Sequence, residues 1–324
     1  MNINSNSLIC ETPNKDDTYL NLALMLYDNF NKKVFDATFC TPFAKTSDLI
    51  YQAFKQEGRV IKGILPQKEF GKSNKIVLAF SGGLDSVYQA LKLREEGEEV
   101  VLFHVKNANA YSNFQEYKAA KAFADKYSFE WVEAYVRASK NETYRKSWPE
   151  NPSKNEMIYS IILDWMTEND CYKLSAGDDF RLDIARTVPD TNLSDAREIT
   201  QSFLENFPIE FIPLKNATKV DRLKYLKEKN ALDDFYSCVA AGRLVQFLKG
   251  KAEKKFNIKL EHWNCGGGCR KCAMHSLILH YYLGVDYPKE YLDKCWDTIS
   301  VGADNIFFDK SIPLETRIKN LEDY

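Results

Sequence analysis

The sequence of 324 residues has no run of about 18 apolar residues, so it offers no expected membrane span. Its polar opening, Met1-Asn2-Ile3-Asn4-Ser5-Asn6, lacks the basic-then-apolar order of a secretory signal. Together these absences point to the cytoplasm and to no membrane partner. Charge of one sign is also missing: 44 Lys and Arg nearly cancel 46 Asp and Glu. Nucleic acid is therefore not the expected partner on electrostatic grounds. There is no internal repeat and no low-complexity tract. The Walker loop is absent because no Gly-Lys-Ser/Thr follows a glycine at the required spacing. The Gly-x-Gly-x-x-Gly dinucleotide fingerprint is absent too.

What is present falls into an ordered pattern. Residues 1–72 read as an N-terminal extension with helices expected over Asp17–Phe30 and Ser47–Gln56. From Lys75, short apolar runs alternate with helical stretches. Strands are expected at Lys75–Phe80, Val100–Val105, Glu130–Val136, Tyr172–Ala176 and Ile209–Leu214. Helices are expected at Leu84–Glu96, Phe114–Tyr127, Asn155–Asn169, Ser194–Asn206 and Lys219–Lys229. Such alternation predicts an α/β fold, an open doubly wound parallel sheet of about five strands, over residues 73–233. Ligands of such sheets bind beyond the carboxyl ends of the strands. Residues 234–324 read as a helical C-terminal region, with one long helix over Tyr236–Phe256 and another from Lys271 to Tyr282.

The first chemical signal follows the first expected strand: Ser81-Gly82-Gly83-Leu84-Asp85-Ser86. Two glycines let the backbone turn tightly and approach an anion without a Cβ in the way. The free N–H groups of the following helix and its dipole favour negative charge there. Ser81 and Ser86 can donate to phosphate oxygens. Asp85 would repel phosphate unless it holds Mg²⁺ or caps the helix. The plain alternative is a glycine turn capped by Ser and Asp.

The second signal is Cys265-Gly266-Gly267-Gly268-Cys269-Arg270-Lys271-Cys272, three of the eight cysteines at C-x3-C-x2-C spacing. In a reducing compartment this pattern reads as a metal site rather than as disulfides, with Zn²⁺ the fitting ion. A closed site needs a fourth ligand. Cys238 is the first candidate, with His275 and His262 behind it. Arg270 and Lys271 would offset thiolate charge. Cys10, Cys40, Cys171 and Cys295 read as ordinary thiols.

The six-residue loop resembles that of the ATP pyrophosphatases, the Ser-Gly-Gly-x-Asp-Ser superfamily with an adenine nucleotide alpha hydrolase-like fold. Its order relative to the Ser237-Cys238 dipeptide and the cysteine cluster resembles 7-cyano-7-deazaguanine synthase. The resemblance covers about residues 73–295 and implies an ATP-dependent carbon–nitrogen ligase of the queuosine branch. It implies Ser81, Gly82, Gly83, Leu84, Asp85 and Ser86 at the pyrophosphate, with Asp85 and Ser86 catalytic and His104 on the adenine side. It implies Asn155, Gly177, Asp178, Asp179, Asp195, Arg197 and Lys219 near the substrate. Cys238, Cys265, Cys269 and Cys272 become the zinc ligands. ATP, Mg²⁺ and Zn²⁺ are the implied cofactors, and a deazapurine carboxylate and ammonia the reactants.

The sequence departs from that pattern at Lys154, where the family has Arg, at Ala196, where it has Cys, and at His275, where it has Arg. These departures and the extension leave three other readings open. One is a paralogue joining a deazapurine acid to another amine, including one on a protein, as in a defence system. Another is a tRNA sulfurtransferase-like enzyme, and the third a nucleotide-binding assembly subunit. A homo-oligomer is compatible with all of them.

Overall fold

The computed structural model describes residues 2–4, 8–16, 19, 68–106, 114–138, 154–177, 204, 207–238, 243–301 and 305–323. Within them lies an α/β architecture with a mostly parallel sheet. Its strands are β1 (Asn2–Asn4), β2 (Leu8–Glu11), β3 (Ser73–Ala79), β4 (Val100–Lys106), β5 (Glu130–Ala138), β6 (Cys171–Ala176) and β7 (Glu210–Ile212). They lie in the order β1-β2-β5-β4-β3-β6-β7. The five expected strands form the parallel part, with Val77 of β3 facing Val101 of β4 on one side and Leu174 of β6 on the other. The extension adds β2 antiparallel to β5 and β1 antiparallel to β2.

The residues fall into two compact units that do not follow chain order. One comprises Met1–Ala79, Leu93–Ala110 and Phe129–Pro213, and the other Phe80–Lys92, Tyr111–Ser128 and Leu214–Tyr324. The first contains the sheet and helix α3 (Lys154–Glu168). Val100 through Val105 are all buried, which is why that segment reads as a continuous apolar run rather than an alternation. Ile161, Ile162 and Met166 of α3 join Val77, Val101, Phe103 and Leu174 in one core. The Trp165 ring meets Phe103 edge-on, with centroids 5.8 Å apart.

The second unit begins with the turn after β3 and the start of α1 (Leu84–Glu95), and includes α2 (Phe114–Lys126). Leu84, Val87, Tyr88 and Leu91 are buried at i, i+3, i+4 and i+7, the stripe that makes α1 a helix. Then come α4 (Lys219–Glu228), α5 (Arg243–Phe256), α6 (Arg270–Leu283), α7 (Lys289–Ile299), α8 (Asn305–Phe308) and α9 (Leu314–Asp323). The last three exceed the expected helices. The long helix expected from Tyr236 is not formed at its start. Phe235–Cys238 is non-helical, and there the Tyr236 amide donates to the Gly82 carbonyl (2.8 Å). The helices expected at Asp17–Phe30, Ser47–Gln56 and Ser194–Asn206 lie outside the described residues, apart from Tyr19 and Leu204.

The first unit carries one deeply buried charge pair. Asp164 is fully buried in α3, and its Oδ1 lies 2.7 Å from Lys68 Nζ and accepts from the Tyr19 amide at 3.1 Å. Burial acts to lower the Lys68 ammonium, but Asp164 and Asp16 together hold the group above its ordinary value. Removing one partner of such a pair strands the other charge. Asp164→Ala is therefore expected to lower stability by about 3 kcal/mol in urea unfolding. Asp16→Ala removes the exposed partner of the same lysine and should change it by less than about 1 kcal/mol.

Candidate phosphate loop and metal centre

The six-residue loop joins β3 to α1. Gly82 sits at φ +77°, and a Cβ there would lie 2.8 Å from that of Ala120 in α2. Only glycine satisfies both conditions at no cost. The loop is bonded internally: Gly83 N donates to Ser81 Oγ (3.2 Å), Ser81 and Ser86 hydroxyls lie 3.1 Å apart, and Ser86 Oγ donates to Gly83 O (3.2 Å). It is also held from the far end of the chain. Tyr236 N donates to Gly82 O at 2.8 Å, and Leu84 N donates to Ser237 Oγ at 3.4 Å. The amides of Asp85 and Ser86 belong to the first turn of α1, which a helix leaves without intrahelical acceptors.

Asp85 takes a partner that sequence spacing does not reveal. Its Oδ1 accepts a hydrogen bond from Arg222 Nη1 of α4 at 2.5 Å, 137 positions away. The Arg222 side chain is 5% exposed and the Asp85 side chain 38%. Arg222 stands one turn into α4, whose start is fixed by a capping box. Thr218 accepts from the Asp221 amide (3.1 Å), and the Asp221 carboxylate accepts from the Thr218 amide (3.0 Å). Lys219, the first residue of α4, is half-buried, and burial pushes its ammonium down to about 8. Asp85 favours its charged form, while Lys271, Arg222 and Arg270 oppose it. The starts of α1, α4 and α6 thus bring one carboxylate and three further cationic side chains within electrostatic reach of Lys219. That arrangement suits a multiply charged anion.

The four expected metal ligands converge. The sulfurs of Cys238, Cys265, Cys269 and Cys272 all lie within 4.8 Å of one another. Cys238 and Cys269 sulfurs are 3.9 Å apart. A tetrahedral zinc with bonds of about 2.3 Å sets its sulfurs about 3.8 Å apart, so this set fits zinc. Two N–H···S contacts of 3.5 Å support the set: Cys265 N to Cys272 Sγ, and Cys272 N to Cys269 Sγ. Gly266 and Gly267 have φ of +75° and +69°, and a Cβ on Gly266 would lie 2.4 Å from that of Ala252. Their amides donate to Asn264 Oδ1 at 2.9 and 3.2 Å. Their carbonyls accept from Lys294 and Thr298 of α7. The knuckle is therefore clamped on both sides of its backbone.

The two reserve ligands stand apart from the sulfurs' set. His262 faces Asp233 at 3.5 Å. His275 is buried between the edges of Phe235 and Trp263, with centroids 5.7 and 5.4 Å away. Its Nδ1 has no hydrogen-bond partner among the described residues. Burial, then Lys219 and Lys271, pushes the imidazole down to about 3, so it is neutral at physiological pH. His104 lies in β4 of the first unit, buried, its ring stacked on Trp131 at 5.3 Å. Gly177 follows β6, and Asn155 falls in the first turn of α3. Asp178, Asp179, Asp195 and Arg197 lie outside the described residues. Arg222 was not foreseen, and Arg270 and Lys271 were foreseen only beside the thiolates. No short motif links them to the loop.

No protein-family model matches the chain, and no curated protein matches it. Part of it is similar to the crystal structure of a predicted subunit of tRNA methyltransferase from Methanocaldococcus jannaschii. The identity is 17%, the TM-score 0.27, and the match covers 51% of this chain and 93% of that one. So slight a likeness carries no functional argument.

The thiol set generates a direct test. The purified chain should hold about one zinc ion by elemental analysis. Cys238→Ser should lose most of it and melt at a lower temperature. Cys171→Ser, which changes a buried thiol outside the set, should keep the metal. Equal zinc in both variants would rule the site out.

Proposed function

We propose that the chain is an ATP-dependent ligase that grips the pyrophosphate end of ATP at Ser81–Ser86 and adenylates a carboxylate on a 7-deazapurine-like substrate. The observation carrying this reading is the strand–loop–helix turn at Gly82, with Asp85 paired to Arg222 and with Asp85, Lys271, Arg222 and Arg270 all acting on Lys219. The substrate class rests on the resemblance of the loop, the Ser237-Cys238 dipeptide and the cysteine knuckle to 7-cyano-7-deazaguanine synthase.

In this mechanism a carboxylate oxygen attacks the α-phosphorus of ATP. The bond between that phosphorus and the bridging oxygen to the β-phosphate breaks, and pyrophosphate leaves with the bonding pair. The amides at the start of α1, the Ser81 and Ser86 hydroxyls and the cationic side chains stabilise the charge that accumulates on pyrophosphate. Ammonia then adds to the acyl carbon, loses a proton and expels AMP, which gives an amide. Activation of the amide oxygen by a second ATP, followed by loss of AMP and a proton, gives a nitrile.

Asp85 is the acid of the loop and its carboxylate is half-exposed, which fits an oxygen ligand for Mg²⁺. Bound there, the ion would supply further charge neutralisation on the leaving group. Zinc at the four thiolates would have a structural role, because all four positions are filled by protein sulfur.

The deciding experiment is exchange of labelled pyrophosphate into ATP with a panel of carboxylates that includes 7-carboxy-7-deazaguanine. Exchange that needs the deazapurine acid and falls at least about 100-fold in Asp85→Asn supports the reading. No exchange with any carboxylate overturns it.

Lys219 adds a pH signature. Its ammonium titrates near 8, so its attraction for phosphate is present below that pH and is lost as pH rises through it. ATP affinity measured by calorimetry should fall between pH 7 and 9, and Lys219→Met should bind more weakly with that fall removed. The stability sign is opposite. Because the folded group titrates below its ordinary value of 10.5, this residue adds stability as pH rises from about 8 to 10.5.

A further inference from the structure

We propose that Arg222 is a phosphate ligand held in reserve by Asp85, and that metal–nucleotide binding exchanges the ion pair. The inference rests on the reading of Ser81–Ser86 as an ATP loop. A carboxylate inside a phosphate loop repels the phosphates it serves. Here that charge is neutralised by a guanidinium with nearly no exposed surface.

The two partners differ in freedom. Arg222 is packed into α4, one turn beyond a capping box that fixes the start of the helix, and its amide donates to Thr218 O at 3.0 Å. The Asp85 side chain is short and more than a third exposed. The carboxylate is therefore the partner that turns away, toward a divalent cation on its open side. The guanidinium then remains aimed at the start of α1, where its planar donors match phosphate oxygens. The loop changes from a neutral pair to a cation facing the anion, with the metal ion carrying Asp85. Nucleotide without metal gains neither benefit, because the pair stays closed.

Binding of α,β-methylene-ATP, which cannot be cleaved at the bond in question, tests the exchange. Calorimetry is run with Mg²⁺ and with EDTA on the full chain. The wild type should bind at least about tenfold more tightly with Mg²⁺. Asp85→Asn opens the pair permanently, so it should bind the metal-free analogue more tightly than the wild type and gain little from Mg²⁺. Arg222→Gln should weaken binding of the Mg²⁺ complex about tenfold or more while strengthening binding of Mg²⁺ alone. Arg222→Lys, which keeps charge but not the fork, guards against misfolding and should fall between.

An Asp85→Asn chain whose metal-free affinity is no higher than the wild type's overturns the exchange. An unchanged affinity in folded Arg222→Gln overturns it as well. A folded wild type that binds the analogue under neither condition overturns the ATP reading itself, and the exchange with it.

Discussion

Four sulfurs brought within one ion's reach govern the course of the chain from Phe235 to Leu283. The thiols come from two separate stretches, so closing the set fixes the segment before Cys238 and the start of α6 at once. The first places Tyr236 and Ser237 against Gly82 and Leu84. The second places Arg270 and Lys271 where they bear on Lys219. Four thiols this close cannot all ionise without a cation among them, whereas a divalent metal offsets half of their charge. The geometry of the loop's second unit is thus tied to the chemistry of a centre that takes no part in the proposed reaction.

Asn264 shows how the knuckle is made rigid without the metal's help. It is fully buried. Its carbonyl oxygen accepts two glycine amides, and its amide nitrogen faces Ser276 at 2.9 Å and the Tyr291 hydroxyl at 3.2 Å. One side chain therefore ties the turn to both α6 and α7. Such a network is costly to leave half-satisfied, so it defines one arrangement rather than several. Tyr281 and Trp296 pack together with ring centroids 6.0 Å apart, and Trp296 continues to Phe308.

The legible parts of the sequence were those where one short stretch carries the local structure. The parallel strands were readable because Val100–Val105 and its neighbours are buried apolar runs. The strand–turn–helix at Gly82 was readable because two glycines precede an amphipathic stripe. The knuckle was readable from spacing, and Cys238 as first candidate for the fourth ligand, a choice that its place beside Ser237 reinforced. Arg222 was not readable, since a lone arginine in a helix says nothing about a partner 137 positions away. Nor was the break at Tyr236. The apolar pattern around it favours helix, and the non-helical backbone there instead bonds to a carbonyl far off in sequence. The added strands β1 and β2 are too short to stand out, at three and four residues.

The second unit is assembled from pieces scattered along the chain, and this has a consequence during synthesis. Leu84 and Ser237 are 153 positions apart. At roughly 5–20 residues added per second, the glycine turn leaves the ribosome roughly 8–30 s before the residues that brace it. Throughout that interval the nascent chain has the glycine turn without Arg222, Ser237 or the four thiols of the cluster. On the proposed function, competence to bind ATP is a late event, gated by the last third of translation and by the supply of metal at that moment.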